Sequence, residues 1–124
     1  MEFISLEEFL KQDEEVQKVF LDYFKGKEGL YFNGIGTIKG YGKLFTNLGV
    51  IPALTEGQLR KFIEDKTGGI ETIEHFKEYA IRTLHLVGGI YGNDIYVNLG
   101  NNLLQAYWKV AIEIAKRETR LAIL

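Results

Sequence analysis

Cysteine is absent, and with it any disulfide framework, thiol nucleophile or zinc–thiolate centre. Serine occurs once, and Ser5 has the position of a helix cap, so no Gly-x-Ser-x-Gly elbow exists. Proline also occurs once, at Pro52. No run approaches the roughly 20 apolar residues of a membrane span. The opening Met1-Glu2-Phe3-Ile4-Ser5 is acidic and lacks an apolar stretch of signal length. A cytoplasmic protein without a membrane segment is therefore expected. An excess of one charge is missing too: 15 Lys and Arg stand against 17 Asp and Glu, a net charge of -2. That balance offers nucleic acid no general attraction.

What is present is a globular composition, 46% hydrophobic and 26% charged, enough for a real core in 124 residues. One domain over residues 1–124 is expected. Charge is uneven along it. Residues 1–30 hold eight acids and four bases, whereas 29–55 holds no acid and only Lys39 and Lys43.

Ser5 with Glu8 has capping-box spacing, and Ile4 with Phe9 has that of a hydrophobic staple. Leu6, Phe9, Leu10, Val16, Phe20 and Phe24 recur at helical spacing, with a break or second cap possible at Asp13 and a stop at Gly26. Glycines then punctuate 29–49, where Asn33-Gly34 between apolar pairs is a type I′ hairpin signal. Thr55 with Gln58 caps a second helix that ends at Gly68-Gly69. Ile70, Ile73, Phe76, Ala80, Leu84 and Val87 give a third helix over 70–87, stopped by Gly88-Gly89. Gly92-Asn93-Asp94 turns into an alternating strand at Ile95–Leu99. Asn102 caps a fourth helix that is apolar nearly all round. The predicted fold class is α+β: four helices with a small antiparallel sheet from the two glycine-rich regions. Leu44–Gly49 and Ile95–Gly100 also share a pattern (aliphatic, aromatic, β-branched, Asn, Leu, Gly), which suggests a duplicated unit.

Three function classes follow. Glu71, His75, Glu78, Arg82 and His85 fall on one face of the third helix, so Glu71, His75 and Glu78 could ligate a divalent metal in a metal-dependent enzyme. An ordinary solvated face with a Glu78–Arg82 pair explains the same spacing. Lys39, Tyr41 and Lys43, with Tyr91 and Asn93 at the echoed turn, are candidates for binding a nucleotide or single-stranded nucleic acid by stacking and charge. Against this, Lys43 is followed by Leu44, so no P-loop is present, and no cofactor motif is found. The favoured expectation is a small non-enzymatic protein-binding or assembly module, such as an accessory subunit, inhibitor or immunity-type factor. It would self-associate as a homo-oligomer or bind a protein partner. Its expected interface is the all-round apolar helix and the apolar end of the chain: Tyr107, Trp108, Leu121, Ile123 and Leu124.

Overall fold

A computed structural model describes residues 2–32, 38–43, 51–75, 77–87 and 89–123. The fold is α+β, with four helices and two three-stranded antiparallel sheets among the described residues. The chain forms two compact units, one of residues 1–55 with 115–124 and one of residues 56–114.

In the first unit, helices α1 (Leu6–Leu10) and α2 (Glu14–Phe24) divide the stripe at Asp13, which is the N-cap residue of α2. Ser5 caps α1 as its spacing indicates: the Glu8 N–H donates to Ser5 Oγ at 3.1 Å. Val16, Phe20 and Phe24, one turn apart, are buried, and the Phe9 and Phe20 rings lie 6.2 Å apart. Strand β1 (Glu28–Phe32) lies between β2 (Ile38–Lys43) and β3 (Ile51–Ala53). Phe32 pairs with Ile38 at the described end of the β1–β2 pairing. Asn33-Gly34 itself lies outside the described residues. Pro52 sits on β3, an edge strand, where its missing N–H breaks no inner ladder.

The second unit opens with α3 (Glu56–Lys66), directly after Thr55, and buries Leu59, Phe62 and Ile63. Residues 70–87 then depart from expectation. They form no helix but two strands, β4 (Gly69–His75) and β5 (Glu78–Val87), paired from Gly69↔Leu84 to His75↔Glu78. The physical reason is the density of β-branched side chains: Ile70, Thr72, Ile73, Ile81, Thr83 and Val87 lose rotamer freedom in a helix and suit a pleated surface. Gly88-Gly89 is likewise not a helix stop, because Val87 pairs with Ile90 and these two glycines join β5 to β6 (Ile90–Tyr96). Gly92-Asn93-Asp94 is strand rather than turn. The strand expected over Ile95–Leu99 ends at Tyr96, and Asn98 follows with a φ of 59°. Sheet order is β4-β5-β6, separate from the sheet of the first unit, so the two glycine-rich regions do not share one sheet.

Helix α4 (Leu103–Ile123) is capped by Asn102, whose Oδ1 accepts from the Gln105 N–H at 2.9 Å. It lies in the second unit up to Ile114 and in the first from Ala115 onward. Among the described residues no helix is long and apolar enough to cross a membrane. Of the suggested duplication, residues 44–49 lie outside the described residues.

Lys77 occupies the β4–β5 connection with a φ of 66°, a left-handed conformation that costs a non-glycine residue roughly 1 kcal/mol. Lys77→Gly should therefore raise stability by about 0.5–1 kcal/mol in urea denaturation, whereas in a helix interior it would lower it by about 1 kcal/mol. A loss of stability would reject the hairpin.

Candidate interaction surface

Antiparallel pairing places directly opposed residues on the same face, and alternation carries the rest of each strand with them. The β4–β5–β6 sheet therefore has an outer face, with Glu71, Ile73, Glu78, Ala80, Arg82, Leu84, Asn93 and Ile95, and an inner face with Ile70, Thr72, Ile81, Thr83, His85 and Asp94. Ile81 and Thr83 are buried, while Glu71, Ile73, Leu84, Asn93 and Ile95 are exposed.

On the outer face Glu71 and Arg82 oppose each other across β4 and β5 and form an ion pair. This replaces the Glu78–Arg82 pair that a helix would make. It also commits the first of the three proposed metal ligands to a guanidinium. His75 and Glu78 oppose each other at the far end of the hairpin, and the side chain of His75 lies outside the described part. Among the described residues no group of three or more His, Asp and Glu gathers in a metal-holding arrangement. The helical face imagined for Glu71, His75 and Glu78 does not exist. Asn93 belongs to the outer face too, opposite Leu84, and the Tyr91 backbone pairs with Leu86.

Lys39, Tyr41 and Lys43 occupy alternate positions of β2 in the other unit, Tyr41 opposite Leu30 and Lys43 opposite Glu28. Their side chains lie outside the described part. Tyr107 and Trp108, expected at an interface, are buried within the single chain. Tyr107 is held there by a 2.7 Å hydrogen bond between its hydroxyl and Thr72 Oγ1. The Arg60 guanidinium has its pKa raised by its hydrogen bond to Glu64, 3.0 Å from Nε to Oε1, and next by the Tyr107 hydroxyl. The side chains of Leu121, Ile123 and Leu124 lie outside the described part.

The inner face holds a polar group that sequence reasoning missed. His85 opposes Gly92, and a Cβ on Gly92 would come within 2.7 Å of His85 Nε2. The tip of the imidazole thus lies across Gly92, and any side chain there would require the ring to move. Its Nδ1 is 3.4 Å from Asp94 Oδ2, near enough for an ion pair with a protonated ring but not aligned as a hydrogen bond. Asp94 opposes Thr83, which is 1% exposed and whose hydroxyl has no hydrogen-bond partner among the described residues. A hydroxyl sealed from solvent in this way meets no substrate, so the Thr83, His85 and Asp94 set is not laid out for nucleophilic attack. The available signal was Gly92 inside a strand, which marks a close approach once the strand is recognised.

Comparison with protein families, curated proteins and solved structures gives no match to this chain.

Three substitutions test the inner face. Gly92→Ala should cost roughly 1 kcal/mol by crowding His85. In a His85→Ala background the same change should be neutral or stabilising, since glycine weakens strands. Additive effects in this double-mutant cycle would show that the two residues do not touch. Thr83→Val should leave stability unchanged or raise it by about 1 kcal/mol, because it removes an unpartnered buried hydroxyl. A loss above about 1 kcal/mol in thermal unfolding would mean that the hydroxyl is bonded.

Proposed function

We propose that the chain is a small non-enzymatic protein-binding or assembly module that works through the outer face of its β4–β5–β6 sheet. The observation that supports this is a set of large apolar side chains, one from each strand, left open to solvent: Ile73 at 38%, Leu84 at 41% and Ile95 at 64% exposure. A sheet with one solvated face ordinarily turns polar side chains outward. Scattered apolar residues on a surface need no explanation, but a set on one face of one sheet is what protein contact sites present. Fully burying a Leu or Ile contributes about 1.5–3 kcal/mol, so covering these partly exposed side chains contributes roughly 1 kcal/mol each. The Glu71–Arg82 pair gives the same face a polar, directional element at moderate cost, since both groups remain partly solvated. The reading favours this surface over α4, where Tyr107 and Trp108 are buried within the chain.

Leu84→Asp combined with Ile95→Asp should abolish association while changing stability by no more than about 1 kcal/mol, because both side chains are exposed. Affinity capture from the native host with wild-type and doubly substituted protein, each verified as folded by circular dichroism, makes the comparison. A loss of at least about thirtyfold in affinity for whatever the wild type retains is expected for residues at the centre of a contact. Equal retention by both proteins would remove the sheet face from the function.

A further inference from the structure

We infer that the free edge of β6 is a self-association site, at which β6 of a second copy of this chain adds antiparallel about a twofold axis through Asn93. This rests on the assembly reading above and adds to the sheet face a second contact site, at the edge of the same sheet, with a second copy as its partner. The β4–β5–β6 sheets of the two copies would then continue as one sheet of six.

Strand order leaves β6 with β5 as its only neighbour among the described residues. Exposed strand edges invite pairing with other chains, and proteins guard them with charge, proline or cover. Among the described edge strands β2 has Lys39 and Lys43 and β3 has Pro52, whereas β4 and β6 carry acids alone, Glu71 and Glu74 on the one and Asp94 on the other. β6 runs for seven residues, Ile90-Tyr91-Gly92-Asn93-Asp94-Ile95-Tyr96, without lysine, arginine or proline.

Exposure around this strand also distinguishes an added strand from a partner laid on one face. Ile95 projects from the outer face, whereas Ile90, opposite Val87, belongs to the row of Thr83 and Ile81 on the inner face. Ile90 is 74% exposed, more than Ile95, and Val97 just beyond the strand is 59% exposed. A partner on the outer face covers Ile95 and leaves Ile90 in water. A strand alongside β6 lies next to both.

The β6 sequence fits itself in this register. A twofold axis perpendicular to the sheet requires paired residue numbers of equal parity, and full overlap of seven residues centres it on Asn93. Ile90 then opposes the partner's Tyr96, and Tyr91 opposes the partner's Ile95. Such aromatic with β-branched pairs are favourable across strands. Asp94, the only charged residue of β6, opposes the partner's Gly92, so no like charges face each other directly. Asn93 is exposed on the outer face and meets its own copy.

The absence of cysteine makes the test direct, since any thiol is the one introduced. Light scattering of the full chain at up to about 100 µM should give twice 14.2 kDa. Asn93→Cys should cross-link to dimer on mild oxidation, because directly opposed antiparallel Cα atoms, about 4.5–5.5 Å apart, fall within the span of a disulfide. Leu10→Cys, equally free in the other unit, should not. Asn93→Lys and Asn93→Glu should each weaken self-association about fivefold, and mixing the two should restore it. Circular dichroism of each variant confirms folding, and the wild-type mass keeps the test decisive if one variant fails to fold. A wild-type monomer throughout that range overturns self-pairing. So does a dimer in which Leu10→Cys cross-links as readily as Asn93→Cys, or one that neither Asn93 charge variant weakens. If the chain is monomeric yet captures a protein that Leu84→Asp with Ile95→Asp releases, self-pairing falls and the assembly reading stands.

Discussion

The second unit depends on the register of β5. This strand is paired on both sides, to β4 from Glu78 to Leu84 and to β6 from Ile81 to Val87. A slip of one residue on either side would turn the slipped strand over, carrying Thr72 or Asp94 outward and Glu71 or Ile95 inward. Two local features resist such a slip against β6. Two glycines between Val87 and Ile90 suit a two-residue connection, with Gly89 at a φ of +81°. Gly92 then gives the His85 imidazole the one position in β6 without a Cβ to meet it. Moving β6 by one residue would place Tyr91 or Asn93 under the ring. The same register that hides Ile81 and Thr83 therefore fixes Ile73, Leu84 and Ile95 as a set on the opposite side.

Much of the fold was legible where caps and periodicity agreed. Ser5 and Asn102 accept the N–H bonds that their spacing implied, and Asp13 divides the first helical stripe as an aspartate on an apolar face should. The α+β class stands. The stretch 70–87 was ambiguous because two periods fit it. Ile70, Ile73, Phe76, Ala80, Leu84 and Val87 obey the helical spacing, while alternation within each half obeys the strand spacing. No Gly or Asn sits between His75 and Glu78 to announce a hairpin, since that place holds Phe76-Lys77, with Lys77 accepting the strained φ itself. Propensity favoured the strands, and long-range pairing decided it.

The candidate surface was found in part for a reason that does not hold. Glu71, His75, Glu78 and Arg82 share a helical face, and they share a face of the β4–β5 hairpin as well. A two-residue connection pairs positions whose numbers sum to a constant, so 71 meets 82 and 75 meets 78. The grouping thus holds for these four but not for His85, which lies on the inner face, and the different geometry changes the chemistry. On a helix Glu71 points along a row of ligands, whereas across the hairpin it meets Arg82. The apolar members, Ile73, Leu84 and Ile95, could not be grouped from sequence, because 70–87 reads as a helix and Gly92–Asp94 as a turn ahead of a strand at Ile95–Leu99. The inner set of Thr83, His85 and Asp94 was hidden for the same reason: only pairing brings residue 94 beside 83.

Both faces of this sheet mix polar and apolar side chains. The inner face sets Thr72, Thr83, His85 and Asp94 among Ile70 and Ile81, whereas the outer face sets Ile73, Leu84 and Ile95 among Glu71, Glu78, Arg82 and Asn93. Were the open face under no demand beyond solubility, replacing its isoleucines by threonine would preserve strand preference and remove apolar surface from water. Folding of the single chain buries these side chains only in part, Ile95 least of the three, so some of their apolar surface stays in water. Polar groups on the covered face add a desolvation cost that the hydrogen bond between Thr72 and Tyr107 offsets in one place and that Thr83 leaves uncompensated. Both departures cost the isolated unit stability. The open apolar face recovers some of that cost only when a second surface covers it, and this coupling of stability to association is what an assembly module requires.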